Sequence, residues 1–240
     1  MIFRHLCAGL VAAAISFPVS AADLVVVVDT ATYMPMARFD HFQVSDGIHK
    51  DVGEALANAL GRKVRFKVLP RKRVALALES GDADVTCGYV PEWLDGKFNW
   101  SMPFMDQVQI VLTARAAVRP PAIGALAGQP VGTVFGYHYP ELEQALGGAF
   151  VRVDAPSVEI NLAKLGAGRL NHMAAMQSWV DYHQRQGGIS AALHPPLVVA
   201  THHTRCALSP RSNVTLRELD RALERLVADG SMAAIEARYR

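Results

Sequence analysis

The sequence predicts an α/β fold with a mainly parallel sheet, and two features of the chain carry that prediction. Residues 47–93 alternate between helical and strand patterns, with a glycine or proline at nearly every joint. Strands that alternate with short helices require right-handed crossovers, which make neighbouring strands parallel. Removing a predicted leader of 22 residues from the 240 leaves 218, enough chain for two lobes. Because ligands bind at the carboxyl ends of parallel strands, those ends are the expected working edge.

The first residues have the pattern of a secretory signal peptide. Arg4 precedes an apolar run from Leu6 to Phe17, and Val19 to Ala21 supply small residues at a cleavage site. The run is too short to span a membrane. We therefore predict a cleavable leader over residues 1–22 and a soluble mature protein in the periplasm. A buried apolar N-terminal segment is the alternative interpretation.

Periodicity and punctuation predict the elements of the first part of the chain. Leu24 to Val28 form a continuous apolar run, as expected of a strand buried on both faces. Asp51 and Glu54 predict a capping box at the start of the first helix. Gly61 is predicted to end this helix. The elements that follow are a strand at 64–68, a helix from Pro70 to Gly81 and a strand at 84–88.

The second part of the chain continues the alternation. Thr215 and Glu218 predict a second capping box, for an amphipathic helix that ends at Gly230. The other predicted elements are strands at 108–114, through Val134, at 172–176, 197–200 and 205–208, and helices at 141–146 and 157–167.

The order and spacing of these motifs resemble the bacterial extracellular solute-binding proteins of family 3, the polar amino acid type. The matching positions are Gly47, Leu60-Gly61, Pro70-Arg71-Lys72-Arg73, Leu78-Glu79-Ser80-Gly81 and Asp84. The resemblance runs from about Leu24 to the end of the chain. It implies a two-lobed periplasmic binding protein-like (type II) fold with two hinge-crossing strands. Lobe 1 would then comprise residues 23–110 plus 205–240, and lobe 2 residues 111–204.

The resemblance also implies a function. A cleft between the lobes would close on a small polar solute, and an inner-membrane permease of the ABC type would read the closed form. The expected ligand-binding residues, mostly at strand carboxyl ends, are Tyr33, Tyr89, Trp93, Gly136, Tyr137, His138 and Gln177. For Tyr33, covering its own loop is the alternative role. We expect a monomer without metal or cofactor.

Two departures from the family concern the ligand. The arginine expected after Gly88 is missing, with Trp93 near its place, and Met176 and Gln177 stand where an aspartate is expected. Their loss removes two charge-assisted interactions, each worth roughly 1.5–3 kcal/mol. We therefore expect free α-amino acids to bind weakly or not at all. Arg71, Lys72 and Arg73 on the second helix are the residues that would overturn this by reaching the cleft.

Other functions stay open at this point. A sensor that binds the ligand without transport fits the same fold, and some relatives are dehydratases of cyclic amino acid precursors. Asp46, His49 and Glu92 lie near the expected cleft and include the acid and base that such chemistry needs. Nucleic acid is not an expected partner, because the formal net charge is only +2 and no basic tract occurs.

The cysteines and the histidines each allow a further interpretation. The resemblance places the strand that returns from lobe 2 beside the strand of Cys87, so Cys206 is expected close to it, either in a disulfide or as a second buried thiol. His194, His202 and His203 hint at a metal site, but neighbouring residues of an extended chain point to opposite faces.

Overall fold

A computed structural model describes residues 22–239; residues 1–21 of the predicted leader lie outside the described part. The strands are β1 (Leu24–Asp29), β2 (Arg38–Asp40), β3 (Gln43–Asp46), β4 (Val64–Leu69), β5 (Val85–Tyr89), β6 (Asn99–Trp100), β7 (Met105–Thr113), β8 (Pro130–Val134), β9 (Val151–Ala155), β10 (His172–Met176) and β11 (Leu197–Leu208). The helices are α1 (Ile48–Ala59), α2 (Arg71–Ser80), α3 (Pro140–Leu146), α4 (Val158–Gly166), α5 (Gln177–Arg185), α6 (Leu216–Ala228) and α7 (Ser231–Tyr239).

One path of paired strands runs through the whole molecule, in the order β4-β1-β5-β11-β7-β10-β8-β9, with β6 beside β11. The pairs β1–β4, β1–β5, β10–β8 and β8–β9 are parallel, and the pairs made by β7 and β11 are antiparallel. This arrangement confirms the predicted α/β fold with two lobes and two crossing strands.

Strand β1 lies at the centre of lobe 1 and is buried along its whole length. Leu24, Val26 and Val28 pack on one face, with α1, α6 and α7, because alternate side chains of a strand point to opposite faces. Val25 and Val27 pack on the other face, with α2. In lobe 2, β7 and β10 divide their side chains in the same way between two buried groups. The continuous apolar pattern of Leu24 to Val28 therefore predicts a central strand correctly.

Strand β11 is a single element, whereas the sequence pattern predicts two separate strands, at 197–200 and 205–208. Its first half pairs with β7 from Leu197 to Thr204, and its second half pairs with β5 from Arg205 to Leu208. Hydrogen bonding to one partner begins where bonding to the other ends, so the strand is not interrupted between the lobes. The exact lobe boundaries along β7 and β11 stay a prediction.

A disulfide joins Cys87 in β5 to Cys206 in β11. The two residues are partners in the antiparallel register, and both are buried. The bond therefore links the central part of lobe 1 to the strand that returns from lobe 2.

One of the two predicted capping boxes is present. The Thr215 side chain accepts a hydrogen bond from the Glu218 N–H, and the Glu218 carboxylate accepts one from the Thr215 N–H. The box predicted at Asp51 and Glu54 is wrong, because α1 begins earlier, at Ile48. The residue before it, Gly47, has φ +110°, and an added Cβ would lie 2.6 Å from the Met36 carbonyl oxygen.

Between Ala22 and Tyr239 no helix is both long and apolar enough to cross a membrane.

Candidate functional site

A cavity of about 130 Å³ lies between the two lobes, at the carboxyl ends of β1, β5 and β10. Most of its wall is aromatic or apolar, as is common for small-molecule sites. Both lobes and the crossing strand β7 contribute side chains, so the cavity is complete only when the lobes lie against each other.

Five of the seven residues predicted to bind ligand line this cavity: Tyr33, Tyr89, Trp93, Tyr137 and His138. Gly136 lies just outside the wall, where an added Cβ would be 3.8 Å from Arg71 Cγ. Gln177 is turned away, because α5 starts at that residue and presents Ser178 and Trp179 to the cavity instead. Its side-chain amide donates to Asp181 at 2.6 Å.

An aspartate and an arginine that the predicted set omits lie in the same wall. Arg71, from the first turn of α2, places Nη1 3.4 Å from Oδ2 of Asp29, the last residue of β1. The other Arg71 terminal nitrogen donates to the Trp93 carbonyl. Two signals identify these residues: Asp29 follows the apolar run of a central strand, and Arg71 follows Pro70 in the Pro70-Arg71-Lys72-Arg73 segment. Arg71 therefore does reach the cavity, but its guanidinium is already paired with Asp29.

Two tyrosines contact this pair. The Tyr89 hydroxyl donates to Asp29 Oδ2 at 2.8 Å, and the guanidinium carbon of Arg71 lies 4.5 Å from the Tyr89 ring centre. The ring centre of Tyr137 is 5.0 Å from the same carbon. Burial raises the pKa of both hydroxyls, so both stay protonated as donors. Burial also raises the pKa of Tyr139 to about 12, and its hydroxyl accepts from the Val134 N–H at 2.9 Å.

Uncharged polar side chains complete the wall. The Gln107 side-chain carbonyl accepts a hydrogen bond from the Ser178 hydroxyl at 3.0 Å. Gln109, its neighbour on the same face of β7, is fully buried, and its Oε1 atom has no partner within the described chain. His49 is partly buried against the cavity, and burial lowers its pKa to about 4, so it is neutral at pH 7.

Several contacts cross the cleft and hold the lobes together. The Tyr33 hydroxyl donates to the Pro156 carbonyl at 3.2 Å, and the Tyr137 hydroxyl donates to the Ala31 carbonyl at 3.3 Å. At the rim, His138 Nε2 lies 3.5 Å from a carboxylate oxygen of Asp95. These contacts define a closed arrangement of the lobes around the cavity.

The residues considered for acid–base chemistry are not assembled in this cavity. His49 lines it, but Glu92 is exposed on the surface. The Asp46 carboxylate accepts a hydrogen bond from the Tyr239 hydroxyl at 2.9 Å and is paired with Arg38.

The three histidines considered for metal each have a separate environment. His202 is buried against the Trp93 ring at 4.5 Å, His203 Nδ1 lies 2.7 Å from Asp106, and His194 contacts the Ala117 carbonyl. Across residues 22–239 no group of three or more histidine, cysteine or carboxylate side chains is arranged to hold a metal ion.

Comparison with known proteins gives a family and a set of similar structures. A sequence model described as bacterial extracellular solute-binding proteins, family 3, matches residues 24–240. No curated protein sequence is significantly similar to the chain.

Three solved structures show how widely this fold is used. An ancestral arginine-binding protein bound to arginine is 20% identical, with a TM-score of 0.73 over 90% of this chain and 97% of that one. A histidine kinase sensor domain with similarity to periplasmic binding proteins is 20% identical, with a TM-score of 0.74 over 90% and 95%. An ancestral amino acid-binding protein, a precursor of cyclohexadienyl dehydratase, is 17% identical, with a TM-score of 0.72 over 90% and 94%. At these identities the likeness shows the fold alone.

Proposed function

Because the chain belongs to the bacterial extracellular solute-binding proteins of family 3, we propose that it is a periplasmic protein that closes its two lobes on one small polar solute. It delivers that solute to an inner-membrane permease of the ABC type. In this proposal residues 23–110 plus 205–240 form lobe 1, residues 111–204 form lobe 2, and the hinge lies in β7 and β11. The protein acts as a monomer.

The observation that carries the proposal is a cavity whose wall is shared between the lobes. Tyr33 from lobe 1 and Tyr137 from lobe 2 each donate a hydrogen bond to a main-chain carbonyl of the opposite lobe. A solute held in this cavity contacts both lobes at once, so binding favours the closed form over an open one. A permease can distinguish the two forms by their shape.

A melting screen tests solute binding. A ligand at a thousand times its dissociation constant stabilises a protein by about 4 kcal/mol. For a protein of this size that is a rise in Tm of roughly 8–16 °C. We expect one class of small solutes in a metabolite library to give such a rise, and solution X-ray scattering to show a more compact molecule with that solute. The absence of any shift across sugars, polyamines, organic acids, amino acids, amides and short peptides would reject the proposal.

Paired tyrosine variants locate the binding site. Tyr137→Ala removes a cavity wall and a contact across the cleft, so we expect it to abolish the shift. Tyr182→Ala is the matched control, because Tyr182 is also partly buried but does not line the cavity. Equal loss of binding in both variants would place the solute elsewhere.

Uptake separates delivery to a permease from sensing. In cells that lack the protein, we expect uptake of the radiolabelled solute to fall to background, and a plasmid copy to restore it. Normal uptake in those cells, together with a lost transcriptional response to the solute, would favour a sensor.

A further inference from the structure

Asp29 and Arg71 are the only carboxylate and guanidinium among the described residues that line the cavity, and no lysine lines it. The two side chains are 1% and 11% exposed, so both are largely removed from water. One negative and one positive charge give the cavity no net charge apart from its histidines. A net charge on the solute would therefore have no unpaired opposite charge in the cavity wall to balance it.

Both charged groups are already engaged by the protein. Asp29 accepts hydrogen bonds from the Ala31 N–H at 2.7 Å and from the Tyr89 hydroxyl at 2.8 Å, in addition to its ion pair with Arg71. Arg71 has one terminal nitrogen on Asp29 and the other on the Trp93 carbonyl, and its guanidinium carbon lies 4.5 Å and 5.0 Å from two tyrosine ring centres. A carboxylate binds arginine best through two parallel N–H groups. That fork is occupied here.

A neutral group of the wall also has hydrogen-bonding capacity that the protein does not use. Gln109 Oε1 is buried in the cavity wall and has no partner among the described residues. A buried carbonyl oxygen without a donor is destabilising. Because the oxygen itself has almost no exposed surface, the Gln109 amide has to turn toward the cavity to accept from a solute N–H or O–H. The walls around it, including Tyr33, Trp93 and Trp179, are aromatic and accept a flat apolar body.

We propose that the solute is an uncharged molecule with a flat apolar body and an N–H or O–H donor, bound with its donor on Gln109. This inference rests on the proposed function, since it names the class of solute that the interlobe cavity takes. A carboxylate would have to displace Asp29 from Arg71, and an ammonium would have to displace Arg71 from Asp29. For a solute with a single charge, either exchange leaves a buried charge without its partner, which is strongly disfavoured. A zwitterion can pair with both groups only by separating them, against the hydrogen bonds that hold Asp29 to Ala31 and Tyr89 and hold Arg71 to Trp93.

Matched probes test the charge of the solute. Benzamide, benzoate and benzylamine share one ring and differ in charge, and calorimetry is carried out with each alongside the metabolite library. We expect the tightest binder of the whole set to be uncharged, and benzamide to bind at least about tenfold more tightly than benzoate or benzylamine.

A carboxylate, an amine or an α-amino acid as the tightest binder would overturn the inference. If that binding were lost in Tyr137→Ala, the proposed function would still stand. No binding by any member of the set would reject both.

Variants that neutralise Asp29 or Arg71 test the role of this ion pair independently. Asp29→Asn frees Arg71 and makes the cavity positive, so the benzoate-to-benzamide affinity ratio should rise at least about tenfold. Arg71→Met leaves Asp29 alone, so the benzylamine-to-benzamide ratio should rise by a similar factor. The double variant restores neutrality and should restore the preference for benzamide, which also covers the case in which one single variant does not fold. Unchanged ratios in the folded variants would contradict the role assigned to the pair.

Discussion

Trp93 offers the sharpest test of how this cavity is built, because the structure gives it two roles at once. Its side chain lines the cavity, yet the residue is only 9% exposed and packs among Val25, Val27 and Val74 of the lobe 1 interior. A ligand-contacting aromatic in an open cleft would be half exposed. Replacing Trp93 with alanine therefore tests whether this wall belongs to the core.

The magnitude follows from the area that the ring buries. A buried tryptophan removes about 150–250 Å² from water. At roughly 25 cal/mol per Å², that burial contributes about 4–6 kcal/mol. Alanine retains a small part of this, and substitutions of this kind are observed to be destabilising by roughly 3–5 kcal/mol. Trp93→Ala should therefore lower the Tm by about 6–20 °C in the absence of any solute.

Urea unfolding of Trp93→Ala and Trp93→Phe provides the assay and its control. The Trp93 indole N–H is buried without a partner in residues 22–239, so phenylalanine removes an unsatisfied donor and keeps most of the apolar contact. We expect Trp93→Phe to be within about 1–2 kcal/mol of the parent. A loss below about 1 kcal/mol for Trp93→Ala would refute the reasoning and show that the ring does not support lobe 1.

Three further outcomes follow from the structure. The Cys87–Cys206 disulfide closes a loop with a sequence separation of 119 residues, so reduction, or replacement of both cysteines by alanine, should lower the free energy of unfolding by roughly 3–5 kcal/mol. Identical urea midpoints with and without reductant would contradict it. His49 has its pKa lowered by burial from 6.5 to about 4, against the opposing field of Asp29, so its neutral form contributes stability that is complete above pH 6.5 and is lost as the pH falls toward 4. When the pH is lowered from 7 to 5, the free energy of unfolding of the parent in urea should fall by about 1–2 kcal/mol more than that of His49→Gln. An equal fall in both proteins would show that the pKa of His49 is not lowered. Thr215→Ala removes the capping box of α6 and should be destabilising by about 1 kcal/mol in the same assay, whereas Thr215→Ser should be close to neutral.

The sequence predicts most of the fold because the signals for its elements are local. Gly81 ends α2 with φ +81°, and Thr215 with Glu218 begins α6, as their positions in the sequence indicate. The two errors have non-local causes. The start of α1 is fixed by the close approach of Gly47 to the Met36 backbone, and the continuity of β11 depends on two different partner strands.

The candidate site is less predictable, because the end of a strand does not tell which way a side chain faces. The rule that ligands bind at strand carboxyl ends selects residues that do line the cavity, including Tyr33, Trp93 and Tyr137. The same rule selects Gln177, which the immediate start of α5 turns away. It does not reveal that Asp29 and Arg71 pair with each other, since they lie 42 positions apart and meet only in the folded chain.

The central claim is that the interlobe cavity holds one small solute, and the solute carried by the native protein tests it most directly. The protein is purified from periplasmic extract without a refolding step and denatured, and the released small molecules are identified by mass spectrometry and titrated back by calorimetry. We expect one solute per chain from the parent and from Tyr182→Ala, and none from Tyr137→Ala. Equal retention of a solute by Tyr137→Ala would show that the cavity is not the binding site, and failure of every released compound to rebind would show that the protein holds no specific solute.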